Sequence, residues 1–465
     1  MDFILSIIKN LYQLLWGDLI TIPLPSGSSI GLSLLVIILI PAGIFFTIKT
    51  KFLPFRLFPE MIRTTMEKKH TTEKHSISGV QALIISTATR VGMGNLVGVI
   101  AAISFGGAGA IFWMWITALL GSATAFAEAT LAQIYKEKDP LYGGYRGGPA
   151  YYIHHFFTTK TKKKKSIIAI LFAISGLICW CGISQVIGNS VSSSFENAFS
   201  IPPLYTTIVL VLLSAIIVLR KNAIVKVLDI IVPIMACLYF FMTLFIIITN
   251  ITLIPNVFKQ IFEEAFGFRQ AVAGGFGAVL MNGVKRGLFS NEAGSGSAPC
   301  AAAAADIEHP AKEGLLQAFG VFIDTILICT CTAIIMLLTP SHLIASQEGM
   351  VLLQTAMNYH MGQFGVIFIA ITLWLFSFST FIGILFYARS NVAYLFGDNW
   401  LSQTIYKIIA LIMLFVGGLA TYTFVWDLGD IGVGLMTIFN MIALIPLSSQ
   451  VIQSLKDYEV KYLKK

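Results

Sequence analysis

Runs of apolar residues recur from residue 30 to residue 452. Most are long enough to cross the ~30 Å hydrocarbon core of a bilayer at ~1.5 Å per residue. Within lipid every backbone amide must be satisfied internally, so segments of this kind have to be helices. Composition agrees: 56% of the 465 residues are hydrophobic and 12% charged, with a mean hydropathy of +0.82. A soluble globular chain carries about 25% charged residues, so a soluble enzyme is excluded. The expectation is an all-α polytopic membrane protein.

Eleven spans are expected. The first covers 30–48. A first set of five covers 80–105, 108–135, 166–189, 204–219 and 227–248. A second set covers 270–305, 314–339, 365–388, 405–421 and 431–452. The chain then divides into an N-terminal part (1–79), two five-helix halves (80–250 and 251–455) and a short tail (456–465). Residues 1–22, with Tyr12 and Trp16, read as an amphipathic helix on the membrane surface. The six cysteines all lie in apolar segments and read as small core residues. No cleavage site follows the first apolar stretch, so no cleaved signal peptide is expected.

The net charge of +8 sits in short loops and speaks of topology, not of nucleic acid. Lysine and arginine crowd the loops after the first, third, fifth, seventh, ninth and last spans. The alternate side carries only Lys9, Lys259 and Arg269. The bias predicts a plasma-membrane protein with its N-terminus outside and its C-terminus in the cytoplasm. The lysine run at 162–165 reads as an ordinary inside-facing loop before it reads as a lipid-binding patch.

Five spans is an odd number, so the second half must run inverted relative to the first. The first helix of each half carries glycines: Arg90-Val91-Gly92-Met93-Gly94-Asn95 in one, Gly274-Gly275-Phe276-Gly277 in the other. Glycine-interrupted spans at matching positions of two halves point to a transporter site near the midplane. Unwinding frees carbonyls that can coordinate Na⁺. A half-helix starting near Asn95 aims amide N–H groups at a substrate carboxylate. The simpler reading, glycines that only allow close packing, as Gly94 and Gly98 would, accounts less well for two such segments. In the ninth span Ser379 and Thr380 add two hydroxyls, and a hard cation takes oxygen ligands.

Six charges lie deep in apolar segments: Arg90, Lys285, Arg286, Glu128, Glu292 and Asp324. Equal numbers of each sign suggest mutual pairing, since a lone charge at that depth is costly. All seven histidines fall in loops or at span ends, so no haem or di-metal centre is expected inside the bilayer. An intramembrane enzyme and a passive channel are the weaker alternatives.

The motifs that carry a resemblance are ATRVGMGN (88–95), GAIFWMW (109–115), GGPAYY (147–152), RGLFSNEAGSGSAP (286–299), FIDT (322–325) and FST (378–380). On these the sequence resembles the alanine or glycine:cation symporter family, over about 50–455. The resemblance implies one extra N-terminal helix before a LeuT-like five-plus-five inverted repeat whose first helices are broken. It implies backbone N–H groups at Met93 and Gly94 for a substrate carboxylate. It implies a sodium site from the carbonyls of Ala88, Val91 and Phe376 with Ser379 and Thr380. Asn95, Gln185, Phe276, Gly277, Thr380 and Ile384 would complete the substrate pocket. Met93 stands where the family usually has threonine, and Ile384 where it usually has tryptophan. The implied function is sodium-coupled import of a small neutral amino acid, alanine or glycine, with no cofactor. The alternatives are a proton-coupled carrier and a carrier of a larger neutral amino acid such as glutamine. The partners are the amino acid, Na⁺ and the bilayer. One chain holding both halves can work as a monomer.

Overall fold

The computed structural model describes residues 2–23, 29–67, 76–161, 165–220, 223–267, 275–344, 347, 349–420 and 422–463. Lys162, Gly274 and Arg269 lie outside the described residues. Helix α1 is Asp2–Trp16, followed by a hairpin of β1 (Ile20–Pro23) and β2 (Ser29–Leu32). Next come α2 (Leu34–Lys49) and α3 (Phe58–Thr65). The first broken span is α4 (Gly79–Thr89), an irregular stretch Arg90–Gly98, and α5 (Val99–Gly106). It is followed by α6 (Gly109–Ile134), α7 (Pro149–Thr161), α8 (Ile167–Phe199), α9 (Pro203–Val218), α10 (Ala223–Thr249) and α11 (Ile254–Ala265). The second half comprises α12 (Gly275–Asn291), the one-turn α13 (Pro299–Ala302) and α14 (Pro310–Leu337). It continues with α15 (Gly349–Phe396), broken by a kink at Gly362, then α16 (Trp400–Leu419), α17 (Tyr422–Leu444) and α18 (Ser448–Tyr458).

Eight of these segments are long and apolar enough to span, and α2 and α9 are shorter apolar helices. The interrupted pair α12 and α13 lies between α11 and α14 and is largely buried. Local sequence explains where helices start. Ser78 and Gln81 form a reciprocal capping box that opens α4: the Ser78 hydroxyl accepts from the Gln81 N–H (3.2 Å) and the Gln81 side chain accepts from the Ser78 N–H (3.0 Å). Ser166 and Asn399 cap α8 and α16.

The helices group into two bodies. The broken spans pack with α6 and α14, while α8 packs along α15, α16 and α17. Small residues set the approach of the second body. A Cβ at Gly182 would meet the Gly429 backbone at 2.3 Å, and one at Gly417 would meet the Gln185 carbonyl at 2.1 Å. Lipid supplies no hydrophobic drive between helices, so such backbone-to-backbone crossings carry the packing. The first broken span lies at the centre, 94% buried over its most apolar stretch, against 28% for α10. Ile230, Ile234, Phe241 and Phe245 of α10 face outward, as lipid contact requires.

Helix α1 does more than rest on a surface. Leu15 and Trp16 are buried, and the Trp16 indole donates to the Asp430 carbonyl at 3.0 Å. Its polar–apolar pattern reflects docking against α17 and α2 rather than against lipid headgroups alone.

Candidate functional site

The chain leaves helical geometry at Val91 (ψ 71°) and Gly92 (φ −151°, ψ −133°). In a regular helix the Gly92 N–H would donate to the Ala88 carbonyl. Here it donates to Asn95 Oδ1 at 3.1 Å. The Ala88 carbonyl is thereby released toward α15. Thr380 Oγ1 lies 3.2 Å from it and Ser379 Oγ 3.5 Å, and Ser379 also reaches the Phe376 carbonyl at 2.9 Å. Thr380 Oγ1 is also 3.5 Å from the Met93 amide. Four neutral oxygens, from Ala88, Phe376, Ser379 and Thr380, thus converge on the break, and all four residues are buried. The set suits a hard cation of low charge, which takes oxygen ligands. The cage joins the two bodies, because Ala88 belongs to the broken span and the other three residues to α15.

Asn95 is the latch of the break. Its amide donates to Asp324 Oδ1 (2.7 Å) and to the Asp324 carbonyl (2.9 Å). Asp324 also accepts from Ser290 Oγ (3.0 Å) and Thr325 Oγ1 (2.5 Å). It lies in a π-helical stretch of α14, Phe322–Cys329, a local distortion frequent at functional sites. One carboxyl group therefore ties the first break to the end of α12.

The second break differs from the sequence reading. Gly275, Phe276 and Gly277 begin a continuous helix, and the chain breaks instead just after Asn291. Glu292, Gly294 and Gly296 all have positive φ (57°, 94° and 83°), a region glycine enters without cost. Phe276 packs edge-on against Trp113, ring centroids 5.9 Å apart. It lies about 20 Å of helix away from Phe289 at 1.5 Å per residue. Phe289 is the aromatic residue beside the first break. A Cβ at Gly94 would lie 3.1 Å from Ser290 Cα and 3.8 Å from the Phe289 ring. Phe276 and Gly277 are therefore remote from the site. Gln185 also turns away, its amide 3.4 Å from Met413 Sδ on α16. Met93 and Ile384 are buried, and Ile384 lies one helical turn beyond Thr380 on α15.

The deep charges form two groups. Lys285 and Arg286 both pair with Asp430, at 2.6 and 3.3 Å. Lys285 also lies over Tyr12 and Arg286 over Trp426 (4.3 Å). The second group surrounds Arg90, whose one hydrogen bond among the described residues goes to the Gln317 carbonyl at 3.3 Å. Glu292, Asp324, Glu128 and Glu313 all lie within Coulombic reach of its guanidinium. Glu292 accepts from Ser297 (2.9 Å) and Tyr387 (3.4 Å), and Glu128 accepts from the Gly294 N–H (3.0 Å). The pairing expected among Arg90, Lys285, Arg286, Glu128, Glu292 and Asp324 is thus not one network. Asp430 and Glu313, not among those six, belong one to each group.

Three comparisons bear on the arrangement. A family model described as the sodium:alanine symporter family matches residues 24–465. A probable sodium/glutamine symporter of Bacillus subtilis, GlnT, is 44% identical over 91% of this chain and 87% of its own. The sodium/alanine symporter AgcS of Methanococcus maripaludis is 34% identical over 98% of both chains. Among solved structures, MhsT in complex with L-phenylalanine aligns with a TM-score of 0.58 at 12% identity, over 84% of this chain and 93% of that one. At that identity the likeness concerns the fold, which is the LeuT-like one.

Proposed function

The chain belongs to the sodium:alanine symporter family, and from that premise we propose that it imports a small neutral amino acid, alanine or glycine, together with Na⁺ bound at the first break. Membership makes it a sodium-coupled amino-acid symporter and not an enzyme. The observation that carries the finer reading is the neutral oxygen cage of Ala88, Phe376, Ser379 and Thr380, with Val91 turned out of the helix beside it. An uncharged cage does not need a proton exchange to discharge it, so Na⁺ rather than H⁺ is the coupling ion.

The substrate carboxylate would meet the amides of Met93 and Gly94 beside that ion, at the N-terminal end of the half-helix. Because the cage spans two bodies, a bound Na⁺ favours their closed arrangement. The broken spans with α6 and α14 then rock against α8, α15, α16 and α17, exposing the site to each side in turn. The lysine–arginine bias sets the N-terminus outside and the C-terminus inside. Glutamine is the second reading, favoured by the 44% identity to a probable glutamine symporter.

The test is uptake of labelled alanine, glycine and glutamine into proteoliposomes, with a sodium gradient and, separately, with a pH gradient in sodium-free medium. Sodium-driven uptake with alanine or glycine ranked first supports the reading. Equal uptake on the pH gradient alone would falsify the sodium assignment, and glutamine ranked first would exchange the two substrates.

A further inference from the structure

Helices α12 and α17 both enter from the face that the lysine–arginine bias makes the exterior. Lys285 and Arg286 lie about 8 Å of helix before the end of α12 at Asn291, where the chain breaks. Their partner Asp430 is on α17. Helix α12 packs in the body of α6, and α17 in the body of α8. The Lys285–Asp430 (2.6 Å) and Arg286–Asp430 (3.3 Å) pairs therefore tie the two bodies together on the approach to the break. The Phe289 and Trp426 rings, centroids 5.0 Å apart, cross between the same two helices.

Helix α1 grips both ends of this tie. Tyr12 Oη accepts from Lys285 Nζ at 2.5 Å, and the ammonium lies 4.5 Å from the Tyr12 ring centroid. The Trp16 indole donates to the Asp430 carbonyl at 3.0 Å, and the same ammonium stands 5.4 Å from its ring. Residues four apart share one helix face, so one face of α1 reaches the cation on α12 and the backbone of its counterion on α17. Leu15 seats the helix: it is 1% exposed, and a Cβ at Gly434, one turn beyond Asp430, would come within 3.1 Å of its Cδ1. The Lys285 side chain is buried beneath the two rings, where Asp430 offsets the cost of its charge. When the two bodies part on this side, Lys285 and Asp430 must separate, and a single helix holding one with Tyr12 and the other with Trp16 cannot follow both.

We infer that Tyr12 and Trp16 are positioning residues of the transport cycle: acting through Lys285 and Asp430, they set how firmly the two bodies close on the exterior side, and α1 releases one of the two each time that side opens. The inference rests on the rocking of the two bodies proposed above, and not on which amino acid is carried.

The experiment takes two readouts on the full-length protein in proteoliposomes, for wild type, Tyr12→Phe, Trp16→Phe and Leu14→Ala, the last being a control on the exposed side of α1. One is the rate at which a membrane-impermeant acetylating reagent modifies Lys285, read by peptide mass spectrometry. The other is uptake of labelled alanine and glutamine against sodium concentration. Tyr12→Phe and Trp16→Phe each remove one hydrogen bond that only the closed arrangement makes. Each should speed acetylation about three- to tenfold. Each should also lower the sodium concentration for half-maximal uptake by a similar factor, because more of the protein stands open to receive the ion. Leu14→Ala should change neither. In a Lys285→Met background, where Arg286 still holds Asp430, Tyr12→Phe should have no further effect on uptake. Unchanged acetylation overturns the proposal. Faster acetylation with an unchanged or raised sodium requirement also overturns it, since α1 is then a static brace, as does a Tyr12→Phe effect that persists without Lys285. All three are read on a wild type that takes up amino acid on a sodium gradient; a wild type without such uptake removes the transport reading and this one with it.

Discussion

Gly92→Ala should disable sodium coupling through Thr380. A Cβ on Gly92 would stand 1.9 Å from Thr380 Oγ1 and 3.3 Å from the Phe376 carbonyl. Ordinary contact starts at 3.4 Å, so the hydroxyl has to retreat by about 1.5 Å, more than a close-packed interior absorbs without a rotamer change. The carbonyl belongs to the backbone and cannot move, whereas Thr380 can rotate. Rotation takes Oγ1 away from the Ala88 carbonyl and the Met93 amide and removes one oxygen from the cage. A hydrogen bond or ligand contact to a charge is worth about 1.5–3 kcal/mol. The sodium concentration for half-maximal uptake should therefore rise roughly 10- to 150-fold, with a stability loss of about 1–3 kcal/mol from overpacking. The assay is uptake against sodium concentration for wild type, Gly92→Ala, Thr380→Ala and the double variant. If both glycine and threonine act through the same oxygen, the double variant is no worse than Thr380→Ala, a strongly non-additive cycle. Gly98→Ala is the control, because its nearest neighbour is the Phe289 ring at an ordinary 3.7 Å. Additive effects, or a Gly92→Ala variant with wild-type sodium dependence, would refute the reasoning.

Three further outcomes are expected. Asp430→Asn leaves Lys285 and Arg286 without their carboxylate and should cost about 3–5 kcal/mol, the usual penalty for stranding buried charge; a detergent-solubilised melting temperature within a degree of wild type contradicts this. Asp324→Leu strips the acceptor from Asn95, Ser290 and Thr325 at roughly 1–3 kcal/mol per stranded group, so uptake should vanish, whereas Ser290→Ala should keep measurable transport. On α18, Lys461 and then His309 hold the Asp457 carboxyl below its ordinary range. A depressed folded-state value means the contact is present above the unfolded pKa, about 3.9, and lost as pH falls through the folded one. Hydrogen exchange in Ser448–Tyr458 should accelerate only in that acid window, and Asp457→Asn should abolish the acceleration.

Hydropathy alone makes the spans legible, because lipid leaves the chain so few options. The first break is legible too, since Gly92 and Gly94 sit beside Asn95 in the middle of a span. The densest glycine cluster, around Gly275 and Gly277, is not where the described chain breaks, because the helix runs on without interruption from there to Asn291. A better signal was present: Glu292, a charge at mid-span, followed by Gly294 and Gly296, where helical continuation would bury an unpaired carboxylate. Phe276 and Phe289 lie on one helix, and periodicity does not say which of them stands at the break. Gln185 shows a different failure. Its helix is right, but which side of α8 faces α16 depends on contacts at Gly417 and Met413, far away in sequence. The charge partners failed for that reason as well, since Lys285 and Arg286 meet Asp430 144 residues on for Arg286.

The two charge groups both lie outside the cage, and this arrangement matters for a cation. Helix α12 carries Lys285 and Arg286 one to two turns before its end, while Arg90 stands at the end of α4. On the α12 side two cations are held by Asp430 and by the rings of Tyr12 and Trp426. Around Arg90 the carboxyls of Glu292, Asp324, Glu128 and Glu313 lie within Coulombic reach of the guanidinium. None of these charges enters the cage, whose oxygens are neutral carbonyls and hydroxyls. An ion in the cage is thus bound by short-range ligation, while the flanking groups act on it over distance, where interaction falls only as the inverse of separation in a poorly screened interior. The same groups also hold the two breaks in place: Asp324 through Asn95 and Ser290, Glu292 through Ser297, and Glu128 through Gly294. Position of the backbone and electrostatic environment of the ion are therefore set by one group of carboxyls, so any motion that opens the breaks must also rearrange the field around the cage.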